Sequence, residues 1–243
     1  MAFNIKKPKH LLGLIILLVT FYILFIDPVL SYVDIFSYMQ IINSTGATIA
    51  SILITLIYVY LFLTPFLWYF FVDGYKFKDM LGALKLQSQG ADMAFLWGVA
   101  AALFMFVVSI SIVFVETMVT GADEESVTMI SNMVSNLTIF SIALIIFQTI
   151  GTEIYFRGFL IGKIDSFGGK NLAIMITAIL YSLVHLYYGA LYTILVPIIL
   201  GIILGYVVMR TKNLYSAITA QMFFNVTIFI LYSASQSLLA SFS

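Results

Sequence analysis

The sequence predicts an all-α fold, a polytopic bundle of about seven transmembrane helices that encloses a polar cavity inside the membrane. Hydrophobic residues make up 63% of the 243 residues and charged residues only 9%, whereas about a quarter of the residues in soluble domains are charged. Several windows contain the roughly 20 apolar residues that a spanning helix needs. A few polar side chains occur inside those windows, where an ionisable group is costly unless it faces the protein interior.

Composition also excludes some classes of function. The formal net charge is +0, so nothing indicates a nucleic-acid partner. There is no cysteine, which excludes disulfides and cysteine catalysis. The amino-terminal stretch MAFNIKKPKH and the apolar run after it have the order of a signal peptide, but Asp27 and Pro28 follow the run and it lacks a small-x-small cleavage site. We therefore predict a retained first helix.

Apolar windows along the chain predict seven spans. They lie near residues 11–31, 46–72, 93–119, 137–163, 172–188, 190–209 and 214–236. The fifth and sixth spans are joined at Tyr187, Tyr188 and Gly189 by a turn with little polar sequence, which leaves open that one of them is short or tilted.

The segment YKFKDMLGALKL, residues 75–86, alternates apolar residues with lysines. This pattern fits a helix in the membrane interface, or an amphipathic connector, which we prefer.

The basic residues predict the orientation, because cytoplasmic loops collect lysine and arginine. Every basic residue except Arg157 falls on one side of the predicted spans: Lys6, Lys7, Lys9, Lys76, Lys78, Lys85, Lys163, Lys170, Arg210 and Lys212. The opposite side contains the acidic residues Asp27, Asp34, Glu116, Asp123, Glu124 and Glu125. We therefore predict a cytoplasmic amino terminus and an external carboxyl terminus.

Three predicted spans contain pairs of polar or aromatic residues, and the members of each pair are four positions apart. The pairs are Glu153 with Arg157, Tyr181 with His185, and Gln221 with Asn225. This spacing places both members of a pair on one helix face. At about 1.5 Å per residue, the polar members lie at similar depths, roughly 12–20 Å from the cytoplasmic ends of their spans. One buried site built from three helices is therefore geometrically possible.

Each pair also has a purely structural interpretation. Glu153 and Arg157 can neutralise each other so that their helix docks, and a histidine in a span is more often an interhelical hydrogen-bonding group than a catalyst. Glutamine and asparagine commonly link membrane helices, with a stabilisation of about 0.6 kcal/mol each. No single pair supports a functional assignment.

Taken together and in this order, the pairs resemble the CAAX-protease and bacteriocin-processing (CPBP or Abi) family of intramembrane endopeptidases. The resemblance rests on E-x-x-x-R-G-F-L from Glu153, Tyr181-x-x-x-His185, and two polar residues spaced by four after VVMRTKNLYSAI, and it covers residues 147–226. It implies a core of helices over residues 137–236, joined in one membrane domain to amino-terminal spans over residues 1–136. It further implies a water-accessible cavity in which glutamate and histidine activate water to attack a peptide bond.

The sequence departs from the motifs typical of that family, which read E-E-x-x-x-R, F-x-x-x-H and H-x-x-x-N or D. Thr152 stands in place of the first glutamate, Gln221 in place of the last histidine and Tyr181 in place of the phenylalanine. Gln221 keeps an amide N–H that can bind an oxyanion. Thr152 is the more serious change, because a hydroxyl group cannot replace a carboxylate as a general base.

The resemblance thus implies a hydrolase acting on a membrane-associated or prenylated peptide. In it Glu153 and His185 activate water, Gln221 and Asn225 bind the oxyanion, and Arg157 pairs with Glu153. The alternative is a catalytically impaired member that acts as a membrane scaffold, regulator or bacteriocin-immunity protein. A third interpretation, a transporter, is opposed by the scarcity of other charges within the membrane.

The expected partners are the lipid bilayer and a membrane-associated peptide or protein, with no nucleic acid. We expect no cofactor and no metal, because one buried histidine with one free carboxylate falls short of the three protein ligands of a catalytic zinc site. The compact chain favours the plasma membrane of a prokaryote.

Overall fold

A computed structural model describes residues 8–26, 44–120, 139–185 and 192–242 of the chain. The described segments fold into α-helices, with no β-strand among them, which confirms the predicted all-α fold. In chain order the helices are α1 Pro8–Phe21, α2 Ser44–Leu67, α3 Phe77–Ala83, α4 Ala91–Thr120, α5 Ile139–Glu153, α6 Ile161–Leu183, α7 Tyr192–Thr211 and α8 Tyr215–Phe242.

Three π-helical segments extend or connect these helices. Tyr22–Ile26 follows α1, Trp68–Val72 follows α2, and Ile154–Leu160 joins α5 to α6 without a break. A π-helical turn is wider than an α-helical one and often occurs at functional sites. The third segment contains Arg157 and begins directly after Glu153, so it falls within the motif that the sequence singles out.

Within the described ranges, four helical stretches are long and apolar enough to cross a membrane, namely Thr55–Val72, Ala91–Val119, Ile142–Leu183 and Ile194–Thr211. Two shorter apolar helices accompany them. Together with their composition, these helices define an integral membrane protein. Gly169 interrupts the third stretch with φ 78° and ψ 165°, a conformation that favours glycine, and so separates the predicted fourth and fifth spans. The predicted turn at residues 187–189 and the acidic loops at 27–34 and 123–125 lie outside the described residues.

Small residues allow close contacts between the long helices. A Cβ atom at Gly98 of α4 would lie 2.7 Å from the Ser216 carbonyl oxygen at the start of α8. One at Gly201 of α7 would lie 2.8 Å from the Ala178 Cα of α6. Such contacts are typical of membrane helices, which associate through close packing. The second contact holds in place the helix that leads to Tyr181 and His185.

Hydrogen bonds tie the basic loops together at one end of the bundle. The Leu214 amide donates to the Lys85 carbonyl oxygen at 2.9 Å. Asn213 Nδ2 donates to the Gln87 carbonyl oxygen at 2.9 Å, and Asn213 Oδ1 accepts from the Tyr215 amide at 3.0 Å, which caps α8. The predicted amphipathic connector forms α3 between α2 and α4, with Met80 buried and Phe77 exposed.

Candidate functional site

The last two turns of α5 present hydroxyl and amide groups within an apolar helix. The Thr152 hydroxyl lies 3.0 Å from the Gln148 carbonyl oxygen and 3.0 Å from that of Thr149, and donates to them. The Thr149 hydroxyl donates likewise to the Ile145 carbonyl oxygen at 2.8 Å. Such bonds to the preceding turn let small polar side chains sit in an apolar helix. Thr152 is therefore satisfied without a partner from another helix.

A cavity of about 270 Å³ lies beside this face of α5. This volume is near the lower limit of ligand sites, about 300 Å³. Residues of α2, α5, α6, α7 and α8, together with the turn after α6, form its walls: Tyr58, Ile145, Gln148, Thr149, Thr152, Tyr181, His185, Val196, Pro197, Leu200, Gln221, Phe224 and Asn225. The walls therefore combine polar side chains of α5 and α8 with an apolar surface of α7.

His185 lies in the turn that follows α6, which ends at Leu183. Its Nδ1 atom is 3.1 Å from the Tyr181 carbonyl oxygen, and the two rings have centroids 4.9 Å apart. Because a carbonyl oxygen only accepts, this bond requires the proton on Nδ1, so the neutral ring keeps its lone pair on Nε2. His185 thus has one ring nitrogen fixed by the backbone and the other available as a base.

The two amides of α8 reach across to other helices. Gln221 Nε2 donates to the Tyr181 hydroxyl at 2.6 Å, and Asn225 Nδ2 donates to the Thr149 hydroxyl at 3.0 Å. Each amide nitrogen carries two hydrogens, so each retains one beyond these bonds. The polar groups of α5, α6 and α8 are therefore linked around one cavity.

Glu153 and Arg157 lie behind this cavity. Arg157 Nη1 donates to Glu153 Oε1 at 2.7 Å, and both side chains are 0% exposed. Neither residue lines the cavity. The Tyr181 ring, which does line it, covers the guanidinium group with 4.3 Å between Arg157 Cζ and the ring centroid. Tyr181 therefore separates the cavity from the buried ion pair.

The structure divides the predicted site residues into two groups. Around the cavity it brings together Thr152, Tyr181, His185, Gln221 and Asn225. Glu153 and Arg157 form a separate pair, because successive residues of an α-helix point about 100° apart and Thr152 takes the cavity side. The catalytic roles assigned to these residues stay predictions.

Sequence reasoning did not single out three polar residues of the cavity wall, Tyr58, Gln148 and Thr149. Gln148 lies four positions before Thr152, so the same spacing rule that paired the other motif residues would have placed it on the cavity face. Tyr58 comes from α2, outside the motif region, and no spacing rule connects it to the site.

The donor atoms of the cavity do not fit a zinc ion. The described residues of its wall include one imidazole and no carboxylate, whereas catalytic zinc usually has three protein ligands. Across the described residues, no three histidine, aspartate or glutamate side chains converge.

An apolar helix bundle around a polar cavity defines the class of this chain, an integral membrane protein with an intramembrane site. Residues 134–227 match the family described as type II CAAX prenyl endopeptidase Rce1-like. This match supports the resemblance to the CAAX-protease, or CPBP, family over the segment that carries the motifs. No curated protein and no solved structure matches the chain.

Proposed function

We propose that the chain binds a membrane-associated peptide in its intramembrane cavity without hydrolysing it at an appreciable rate. The observation that carries this proposal is that none of the described residues lining the cavity has a carboxylate. Thr152 stands there at the position of the family's first glutamate, and Glu153 is held by Arg157 behind Tyr181. This favours the catalytically impaired alternative over the hydrolase.

Peptide hydrolysis by water needs a group that removes a proton from the attacking water. General acid–base catalysis typically accelerates such a step about 10²–10⁴-fold. The Thr152 hydroxyl is not basic enough for this task, and it already donates to the backbone of its own helix. Glu153 has the right chemistry, but it is fully buried, is paired with Arg157 and does not line the cavity while Tyr181 covers the pair.

Peptide binding needs only groups that the cavity retains. Gln221 and Asn225 each keep an amide hydrogen that can donate to a peptide carbonyl oxygen. Val196, Pro197 and Leu200 supply an apolar wall, which suits a hydrophobic side chain or an attached lipid. The family relationship makes a prenylated peptide the first ligand to try, and the biological role would be that of a scaffold, regulator or immunity protein.

A second candidate function is hydrolysis with His185 as the base. The observation that favours it is the bond from His185 Nδ1 to the Tyr181 carbonyl oxygen, which leaves Nε2 able to accept a proton from water. The resulting hydroxide would add to the peptide carbonyl, and Gln221 and Asn225 would donate to the oxyanion. The intermediate would then collapse with cleavage of its C–N bond, and His185 would pass the proton it holds to the departing amine. In this scheme Glu153 holds Arg157 and does not contact the water.

The two candidates are distinguished by one assay in reconstituted vesicles. The probe is a fluorescent peptide with a farnesylated cysteine and three further residues, and both its binding and its cleavage are measured. We expect wild-type protein to bind the probe without cleaving it, and the Thr152→Glu variant to cleave it. Thr152→Gln is the matched control, with the same length and no carboxylate, and should remain inactive.

Other outcomes would decide against the proposal. Cleavage by wild-type protein that is lost in His185→Ala would establish the second candidate instead. No binding of the probe by any variant would reject a prenylated peptide as the ligand.

We further propose that the basic end of the bundle faces the cytoplasm of a prokaryotic cell, with the amino terminus on that side. Hydrogen bonds from the Leu214 amide to the Lys85 carbonyl oxygen and from Gln87 to the Lys212 carbonyl oxygen support a common side for these basic loops. Because the sequence contains no cysteine, a Lys78→Cys variant can be labelled selectively. An impermeant thiol reagent should modify it in inverted membrane vesicles and leave it unmodified in intact cells; the reverse would contradict the orientation.

A further inference from the structure

Buried polar atoms around Tyr181 lack a hydrogen-bond partner among the described residues. They are Glu153 Oε2, Arg157 Nε, Arg157 Nη2 and Gln221 Oε1. Glu153 and Arg157 are 0% exposed and Gln221 is 8% exposed. Buried polar atoms in folded proteins nearly always have a partner, so each exception requires an explanation. Such a group of atoms in one place points to a bound molecule.

The unpartnered atoms specify the chemistry of that molecule. Arg157 offers donors on Nε and Nη2, and Glu153 offers an acceptor on Oε2. A complementary group must therefore both accept and donate. It should also be uncharged, because the Glu153–Arg157 pair is neutral overall and a carboxylate ligand would meet the negative charge of Glu153. The amide of a peptide bond has these properties, with one C=O and one N–H.

Tyr181 controls access to these atoms. Its ring covers Arg157 on one side and borders the cavity on the other, and its hydroxyl accepts from Gln221 at 2.6 Å. Rotation of the ring away from Arg157 would break that hydrogen bond and open the ion pair to the cavity. The same movement would free Gln221.

We infer that Glu153 and Arg157 form a binding site for one backbone amide of the peptide, reached when Tyr181 moves aside. Arg157 donates to the amide C=O, and the amide N–H donates to Glu153 Oε2. This inference rests on the proposed function, because it requires a peptide in the cavity. It gives the ion pair a role in recognition, in addition to its contribution to the fold.

Peptides in which one backbone amide at a time is replaced by an ester test the inference directly. Each replacement removes one N–H and keeps the carbonyl group. We expect one position at which the ester weakens binding to wild-type protein about tenfold, the effect of one hydrogen bond. In the Glu153→Gln variant, whose amide can present an N–H in place of Oε2, that difference should disappear.

Tyr181→Phe tests the same inference without changing Glu153. It preserves the ring and removes the hydroxyl to which Gln221 donates. Because the ring should then move more readily, the unmodified peptide should bind severalfold more tightly. Tyr60→Phe is the matched control, because its hydroxyl contacts the Ile16 carbonyl oxygen and Thr20 away from the cavity. It should leave the affinity unchanged.

The inference fails if no ester position differs from the others, or if Tyr181→Phe does not tighten binding. Either result would indicate that internal water satisfies the unpartnered atoms. If no peptide binds to any form of the protein, the proposed function fails as well.

Discussion

Two neighbouring residues of α5 lie in different surroundings. Thr152 faces the cavity and bonds to its own helix, whereas Glu153 points away and forms a fully buried ion pair with Arg157. The difference matters for the proposed function, because a carboxylate can take a proton from water in the cavity only if it lies on the helix face that meets the ligand. One residue along the helix changes that face by about 100°.

The same contrast predicts where the stability of the bundle resides. Glu153 and Arg157 are fully buried. Removal of one of these side chains therefore leaves the polar atoms of the other without a hydrogen-bond partner. Residues on the cavity side border open space, and Thr152 bonds only to the backbone of its own helix. Substitutions on the two sides should therefore differ in their effects on the free energy of unfolding.

Arg157→Ala should have the largest effect. It leaves the Glu153 carboxylate buried without its partner, which destabilises folded proteins by about 3–5 kcal/mol. Thr152→Ala removes a hydroxyl that bonds only within its own helix. It should lower the free energy of unfolding by less than about 1 kcal/mol. Unfolding in mixed micelles with increasing SDS would measure both.

Replacement of both Glu153 and Arg157 by methionine is the control for the loss of packing volume. Replacement of a buried ion pair by hydrophobic residues often leaves the free energy of unfolding unchanged. This variant should therefore be much more stable than Arg157→Ala. Equal stability of Arg157→Ala and Thr152→Ala would contradict the proposed difference between the two sides.

Gly201→Ala should have the next largest effect. The new Cβ would lie 2.8 Å from the Ala178 Cα, a backbone atom that cannot turn aside, so α6 and α7 must separate. Overpacking of this kind destabilises by about 1–3 kcal/mol. Peptide binding should weaken too, because α6 carries Tyr181.

Gly162→Ala is the control, since no atom apart from its chain neighbours and its own helix backbone lies within 4 Å of the added Cβ. A similar loss of stability in this variant would refute the steric explanation.

The Tyr181–Gln221 hydrogen bond should make a smaller contribution. A double-mutant cycle with Tyr181→Phe, Gln221→Leu and the combined variant should give a coupling of about 1 kcal/mol, the net value of one hydrogen bond. The cycle is measured by the same micelle unfolding assay. Additive effects of the two substitutions would mean that the 2.6 Å contact does not stabilise the closed position of Tyr181.

Asp73→Asn should have the smallest effect. Lys163 Nζ lies 2.6 Å from Asp73 Oδ2, about as close as Arg157 lies to Glu153, but these side chains are 34% and 24% exposed. Partly exposed ion pairs typically stabilise by less than about 1 kcal/mol. Unfolding measured at low and high salt should show little difference between this variant and wild-type protein. A loss as large as that of Arg157→Ala would show that burial is not what distinguishes the two pairs.

Much of the fold follows from the sequence because membrane helices require long apolar windows. Each of the seven predicted spans overlaps one or more of α1, α2 and α4–α8, and the amphipathic segment at residues 75–86 contains α3. Among the described residues, however, only four stretches are long and apolar enough to cross a membrane, and one of them covers most of both the predicted fourth and fifth spans. Spacing by four also indicated which polar residues share a helix face. His185 is an exception in detail, because the predicted span runs to residue 188 whereas α6 ends at Leu183 and His185 lies in the following turn.

The organisation of the site depends on how the helices rotate against each other, which spacing within one helix does not determine. The sequence does not show that Gln221 bonds to Tyr181, or that Asn225 bonds to Thr149 on α5. The π-helical segment Ile154–Leu160 changes the helical period directly after Glu153. No pattern of residues in the sequence predicts this segment. Which carboxylate position meets the cavity is therefore a property of the packed structure.

Accessibility of single cysteines to water tests the separation of the two sides most directly. The sequence contains no cysteine, so Thr152→Cys and Phe156→Cys can each be treated with a water-soluble methanethiosulfonate in reconstituted vesicles. Phe156 is 0% exposed and packs against Tyr181 behind the cavity. The Thr152→Cys variant should be modified, more slowly once the peptide is bound, and the Phe156→Cys variant should not react. Similar rates for both variants, or no reaction of Thr152→Cys, would contradict the account.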